Sequence, residues 1–297
     1  MLSARIPATS ANLGPGFDCL GLALNLFNTI TVEKSSNWEI RLSGKYTADL
    51  PVDESNLVWK TILYLWEKVN YPTPKLTLTL ENNIPPARGL GSSSAAIVGG
   101  LVVANSLAGN PFSQLDLLQM ANELEGHPDN VTPALYGGVT LAVETAKGIL
   151  PRVLNENPYI DVLVVIPEFL LNTSKSRKVL TSQVSRSDAV FNIAHAGLII
   201  EAFIRGDYTL LKEGMRDRLH QDQRAALVPG LPEALSSALN NGAYGAALSG
   251  SGPTLLAFLA PEYTQDVAEG MVKTFANHGL NAQAYPLEIS PRGAHIL

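Results

Sequence analysis

At 297 residues the chain is long enough for one large core or two of medium size, and 46% hydrophobic with 16% charged residues is the balance of a folded chain, not a disordered one. A net charge of −6 gives no general attraction to nucleic acid or anionic lipid, so any polyanion must be met by a local positive site. The single cysteine, Cys19, excludes an intramolecular disulfide, and MLSARIPATSANLG lacks the apolar run of a secretory leader, so we expect a cytoplasmic protein.

Strand-like runs come first: Thr29–Glu33, Glu39–Leu42 and the period-two LTLTL of Leu76–Leu80. Between the last two, Leu57, Ile62, Leu65, Trp66 and Val69 recur at helical spacing, predicting an amphipathic helix over Asn56–Asn70. A helix of small and branched residues follows over Ser93–Leu107; its serines, glycines and asparagine are too polar for a bilayer, and it reads as buried. Ser113 with Asp116 forms a capping box for the next helix, whose inner face is Leu117, Met120, Ala121 and Leu124 and which Gly126 stops. The polar LNENP of Leu154–Pro158 is the expected domain boundary, dividing the chain into 1–155 and 156–297. Beyond it we expect a buried strand at Ile160–Ile166, helices at Ser187–Arg205, Tyr208–Glu213 and Leu231–Asn240, strands at Gly245–Ser249 and Thr254–Ala260, a helix at Tyr263–His278 and a strand at Ala282–Leu287, an α+β pattern.

The strongest chemical signal lies between the LTLTL strand and the helix after it: Pro85-Pro86-Ala87-Arg88-Gly89-Leu90-Gly91-Ser92-Ser93-Ser94-Ala95. Glycines at 89 and 91 permit backbone angles that turn successive N–H groups to one point, and the following helix adds its unpaired N–H groups and positive dipole end. That combination suits a polyphosphate. The serines add hydroxyls, one of which could ligate Mg²⁺. Arg88 either neutralises phosphate or is a solvated loop charge. The segment is neither a GxxxxGK[ST] loop nor a dinucleotide GxGxxG, since Ser94 takes the last position. A nucleotide-dependent oxidoreductase is set aside on that ground.

PPARGLGSSSA resembles the second motif of the GHMP kinases, the loop that wraps the ATP phosphates in that family. Ile6–Asp18 (IPATSANLGPGFD) resembles the first motif in its homoserine kinase form, and Ala247–Thr254 (ALSGSGPT) the third. The resemblance covers nearly the whole chain. It implies a two-domain α+β fold, with a ribosomal S5 domain 2-like N-terminal domain and a ferredoxin-like C-terminal domain. It also implies ATP with Mg²⁺ as cofactors, L-homoserine as the acceptor in a step of threonine biosynthesis, no nucleic-acid or membrane partner, and room for a homodimer.

The resemblance also implies roles. Residues 85–95 would hold ATP. Glu125, four residues after Ala121 on one helix, matches the Mg²⁺-binding glutamate, with Glu123 as the fallback and Ser93 as the hydroxyl ligand. Homoserine is a zwitterion. Asn12 and Asp18 would hold its ammonium, and Arg177 and Arg224 its carboxylate. His127 joins the substrate side; it has no partner at ligand spacing for zinc. Asp129 and Asn130 would lie at the reacting hydroxyl as the catalytic candidates. Asp129 counts first as a substrate contact, because homoserine kinases are thought to manage without a dedicated base. One departure stands out: the family's proline–tyrosine pair before the second arginine is Asp222-Gln223 here. Rival readings are a kinase for another alcohol, such as mevalonate or shikimate, and an inactive relative that only binds ligand; the intact phosphate loop and glutamate count against the second.

Overall fold

β1 (Leu2–Ala11) and β2 (Leu20–Lys34) open the chain as a long antiparallel pair in a computed structural model that describes residues 1–48 and 50–297, with the side chain of residue 173 outside the description. β2 has one neighbour, β1, on one edge and shares its other edge between two strands: its first residues pair with β5 (Val139–Thr145), its last with β4 (Leu76–Glu81). β3 (Glu39–Ser43) adds parallel to β4, and β6 (Gly148–Asn155) adds antiparallel to β5. α1 (Leu57–Lys68), α2 (Ser92–Leu107), α3 (Gln114–Glu125) and α4 (Pro128–Tyr136) cover this sheet. α2 is buried almost all round. Gly99 faces Ile6 and Ile30 of the sheet and Gly100 faces Thr61 of α1, at distances no side chain would allow.

The second sheet is built on β7 (Asp161–Pro167). After it come α5 (Thr173–Lys178), α6 (Arg186–Arg205), α7 (Leu211–Gly214), α8 (Gln221–Ala225) and α9 (Leu231–Asn240), then β8 (Gly245–Leu248), β9 (Leu255–Leu259), α10 (Thr264–Asn277) and β10 (Ala282–Leu287). The strand order is β10-β7-β9-β8, all antiparallel. In chain order that is fourth, first, third, second, the ferredoxin-like arrangement. β7 is buried on both faces: Val162, Val164 and Ile166 join the core of the first sheet, while Leu163 and Val165 join a second core with α9 and α10. This is why its sequence is an unbroken apolar run. The chain then returns, and β11 (His295–Ile296) pairs with β1 at the edge of the first sheet.

The expected strands and helices are present, most with ends moved by one or two residues, but Thr29–Glu33 is the C-terminal part of β2, which begins at Leu20, Tyr208–Glu213 is a 3-10 turn at Tyr208–Leu210 running into the single turn of α7, and Leu124, expected on the inner face of α3, is exposed. Several elements come in addition. β1 carries Pro7 in a paired strand, which counts against a central strand; the register shifts between Pro7 and Ala8, and that irregularity accommodates the ring. α4 holds Pro133 inside nine residues, and α5 and α8 are single turns too short to show periodicity. β5 and β6 face solvent on much of one side and lack a continuous apolar signature. Among the described residues one helix, α6, is long and apolar enough by length and composition to cross a membrane. Its Asn192, His195, Ile199, Ala202 and Phe203 are buried against the protein.

Candidate active site

The loop before α2 is held by its carbonyls. Those of Ala87, Arg88, Gly89 and Leu90 accept from Leu171 N–H (3.2 Å), Thr254 N–H (3.3 Å), the Ser249 hydroxyl (2.6 Å) and Thr9 N–H (3.1 Å). With the carbonyls turned into the protein, the N–H groups turn out. Those of Gly89 to Ser94 bond to no other described residue, and Gly91, the helix N-cap, supplies no side chain to cap them. Gly89 and Gly91 take φ of 78° and 68°; a Cβ on Gly89 would lie 2.2 Å from the Ser249 carbonyl oxygen. Glycine is required by both the angle and the closeness.

The three motifs are stitched together at this point. Gly250 N–H donates to the Ala11 carbonyl (3.1 Å), Asn12 Nδ2 donates to the Gly250 carbonyl (3.0 Å), and the Ser249 hydroxyl also bonds the Ser10 hydroxyl (2.7 Å). The result is a cleft of about 420 Å³ lined by Asn12, Asp18, Pro86–Ala96, Glu125, His127, Asp129, Asn130, Arg177 and Arg224. The candidate residues thus converge, with one exception. Pro85 lines a separate groove with Arg5, Lys45 and Tyr285, so its part in the loop is to shape it from behind. Arg88 borders the cleft, and one of its guanidinium donors is engaged by the Pro167 carbonyl at the end of β7, which ties the loop to the second sheet.

At the N-terminus of α2, the Ser93 and Ser94 hydroxyls both donate to Glu125 Oε1, at 2.7 and 2.8 Å. Glu125 closes α3, one residue before Gly126 ends it in a left-handed turn. Glu123 does not line the cleft, and its carboxylate accepts from the Tyr64 hydroxyl at 2.7 Å.

At the other end, α4 begins with His127 as N-cap and Pro128 in its first turn, where the missing N–H of proline costs nothing. His127 Nδ1 lies 2.8 Å from Asp129 Oδ1, and Asn130 Nδ2 donates to the same oxygen at 3.3 Å. Burial pulls the His127 pKa down, but the hydrogen bond and charge of Asp129, with Glu125 behind, outweigh it and hold the imidazole above its ordinary value. Asp18 and Arg177 face each other as a two-pronged ion pair, 2.6 and 3.0 Å, partly exposed to solvent. Asn12 has a structural task as well: its Nδ2 donates to Gly250 and its Oδ1 accepts from Asp18 N–H at 3.0 Å, setting the turn that presents Asp18, while the second lone pair of Oδ1 is available on the cleft that Asn12 lines. Asn12 and Asp18 themselves sit at φ of 72° and 58°, angles asparagine and aspartate tolerate best among side-chain-bearing residues.

Arg224 is 2% exposed and has no described carboxylate within ion-pair distance. Its guanidinium donates to the carbonyls of Ser176 (3.3 Å) and Gly250 (3.0 Å) and to His220 Nδ1 (3.1 Å). Burial, then the repulsion of Arg177, brings its pKa down to about 10, so it stays cationic at neutral pH. His220 Nε2 donates to the Gly14 carbonyl at 2.8 Å, which fixes the tautomer and leaves Nδ1 to accept from Arg224. His220 was not among the candidates; it stands four residues before Arg224, one turn away on α8, and that spacing was its available signal. The wall formed by Ile30, Leu50, Pro51, Asn56, Leu57, Val58 and Leu80 was also missed, because it is gathered from three separate segments. Beside Asp18, burial and the charges of Asp129 and Asp18 push the Cys19 thiol up to about 11, so it is no nucleophile.

Against known proteins, residues 56–138 match the model of the GHMP kinases N terminal domain and residues 199–277 that of the GHMP kinases C terminal domain. A homoserine kinase of Desulfitobacterium hafniense is 54% identical over 297 residues, all of both chains. One from a Synechococcus strain is 44% identical over 294 residues, 98% of this chain and 96% of its own. The crystal structure of homoserine kinase from Cytophaga hutchinsonii superposes with a TM-score of 0.89 at 29% identity, covering 100% of this chain and 97% of that one. A shared fold, shared motifs and full-length identity together place the chain in the GHMP kinase family, among its homoserine kinases.

Proposed function

We propose that the cleft transfers the γ-phosphoryl group of ATP to the side-chain hydroxyl of L-homoserine, yielding O-phospho-L-homoserine for threonine biosynthesis. The observation that carries this is one cleft with uncommitted N–H groups at Gly89–Ser94 and, opposite them, a charge set matched to a small zwitterion: Asp18, Arg177 and the unpaired Arg224. ATP would place its phosphates on those N–H groups and its base against the apolar wall of Ile30, Leu50, Pro51, Leu57, Val58 and Leu80.

Ser93 and Glu125 fit Mg²⁺: a carboxylate and a hydroxyl are hard oxygen donors, already converging beside the phosphate loop, and Mg²⁺ completes its shell from phosphate and water. Bound there, it would neutralise charge on the transferring group. At the acceptor end the substrate's ammonium takes one face of Asp18, and its carboxylate takes Arg224 and the free edge of Arg177. Its hydroxyl then lies by Asp129 and Asn130. The new bond forms between that oxygen and the γ-phosphorus as the bond to the bridging oxygen breaks, and the hydroxyl proton passes to an oxygen of the transferred phosphoryl group. Positioning and charge stabilisation do most of the work, without a dedicated base. Replacing Asp129 by Asn checks this: a modest change is expected, and a collapse of kcat far beyond any change in KM would make Asp129 a base.

This reading divides the chain at residues 155 and 156. The first part carries the phosphate loop, Asp18, Glu125 and Asn130; the second brings both arginines. With a net charge of −6 we further propose a cytoplasmic enzyme without a nucleic-acid or membrane partner, and a homodimer as its assembly. Val190, Ile193, Gly197 and Ile204 form an outward apolar stripe on α6 centred on Gly197, and two antiparallel copies would set Ile204 against Val190. Sedimentation velocity should show a dimer that Ile193→Asp dissociates. ATP turnover with L-homoserine, L-serine and mevalonate tests the reaction itself; absence of homoserine-dependent ADP release refutes it.

A further inference from the structure

We propose that Thr9 is a positioning residue that holds the amide of Asn130 with its N–H side toward the cleft and ties that orientation to the seating of the phosphate loop. The inference rests on the reaction proposed above, in which Asn130 borders the reacting hydroxyl.

Thr9 is a fully buried residue of β1. Its N–H donates to the Leu90 carbonyl at 3.1 Å, and its hydroxyl donates to Asn130 Oδ1 at 2.8 Å. The direction of the second bond follows from the neighbour on the other side. Asn130 Nδ2 faces Asp129 Oδ1 at 3.3 Å, and a flipped amide would set oxygen against carboxylate oxygen. Asp129 therefore fixes the nitrogen end, and Thr9 holds the oxygen end. One Nδ2 hydrogen is spent on Asp129; the other remains for the cleft that Asn130 lines.

That choice matters chemically. An amide N–H stabilises charge on the oxygens of a transferring phosphoryl group, whereas a carbonyl oxygen at the same place would repel it. The phosphate loop presses on the same joint: a Cβ on Gly91 would lie 1.9 Å from Thr9 Oγ1 and 3.2 Å from Asn130 Oδ1. One hydroxyl thus sits under both the loop that seats ATP and the side chain that faces the acceptor. Thr9 itself is fully buried and does not line the cleft.

The test compares Thr9→Val, which keeps the shape and loses the hydroxyl, with Thr9→Ser, which keeps the hydroxyl, each also in an Asn130→Ala background. Thr9→Val should lower kcat about tenfold with both KM values within about twofold, since the donor it misaligns acts on the transition state. Thr9→Ser should keep kcat within about twofold of the parent, and Thr9→Val should add no further loss once Asn130 is Ala. Affinity for a non-hydrolysable ATP analogue, by calorimetry, should be unchanged in Thr9→Val. Parental kcat in Thr9→Val, an equal loss in Thr9→Ser, or a further loss in the Asn130→Ala background would each overturn the proposal. Should Thr9→Val not fold, the Thr9→Ser arm and the analogue affinity of Asn130→Ala decide: a serine enzyme as impaired as Asn130→Ala overturns it. The assay runs on whichever alcohol the parent phosphorylates, so failure of L-homoserine as acceptor would refute the reaction and leave Thr9 readable.

Discussion

At its phosphate end the cleft offers backbone. The Gly89–Ser94 N–H groups are set free because their neighbouring carbonyls are tied to Thr9, Ser249, Thr254 and Leu171. At its acceptor end it offers ionisable side chains: Asp18, His127, Asp129, Arg177 and Arg224, drawn from four separate stretches of chain. A backbone site tolerates substitution of what surrounds it but not of the residues that set its angles. A side-chain site can lose one group and keep the rest. Substitutions at the phosphate end should therefore act through geometry and strike turnover, and those at the acceptor end through charge and strike one KM at a time.

The harshest test is Gly91→Ala. The methyl meets Thr9 Oγ1 at 1.9 Å from a φ of 68°, so the loop must shift. We expect kcat/KM to fall on the order of 10³-fold, the scale of losing an oriented donor set. Parental turnover in a folded Gly91→Ala enzyme would erase the contrast. Next comes Arg224→Gln, which should raise the KM for homoserine about 100-fold and leave that for ATP within about twofold, because a buried charge-assisted contact is removed from one substrate only. If both KM values rise together, Arg224 supports the fold of the third-motif loop through Gly250 instead. Glu125→Gln should raise the Mg²⁺ concentration for half-maximal rate about thirtyfold. Glu123→Gln, which loses only a bond to Tyr64, should leave it unchanged, and equal effects would move the metal away from Glu125.

The same contrast explains what could be seen in the sequence. The phosphate loop is contiguous, and its glycine spacing states its geometry directly, so Gly89, Gly91 and the helix of Ser92–Leu107 were legible from local rules. The acceptor end is assembled by topology. Arg177 reaches Asp18 across 159 positions and Asn12 reaches Gly250 across 238, and only the motif resemblance could bring those residues together. Roles within the set were harder still. That Asn12 braces a turn and that His220 steadies Arg224 are matters of which lone pair faces which hydrogen, and sequence carries no such record. In the fold, β7 announced itself because both faces are buried, while β1 hid behind Pro7 and α4 behind Pro133.

The smallest expected effect separates two histidines. His127 faces Asp129, Glu125 and Arg177, and its pKa is raised in the fold; His220 faces Asp217, Arg224, the Gly14 carbonyl and Asp18, and its pKa is lowered, chiefly by burial. The signs are opposite. His127 favours its protonated form when folded, so its contribution is fully present below about pH 6.5 and is lost as pH rises through the raised value. His220 favours its neutral form, so its contribution is present above about pH 6.5 and is lost as pH falls through the lowered value. The melting temperature should therefore decline on both sides, by about 2 °C for each histidine. His127→Gln should flatten the decline on the alkaline side alone, and His220→Gln the decline on the acid side alone. If His127→Gln leaves the alkaline decline in place, the bond to Asp129 does not hold a proton in the folded enzyme. The imidazole would then serve the Asp129 carboxylate as a neutral hydrogen-bond donor through Nδ1, orienting it toward the substrate hydroxyl without adding charge.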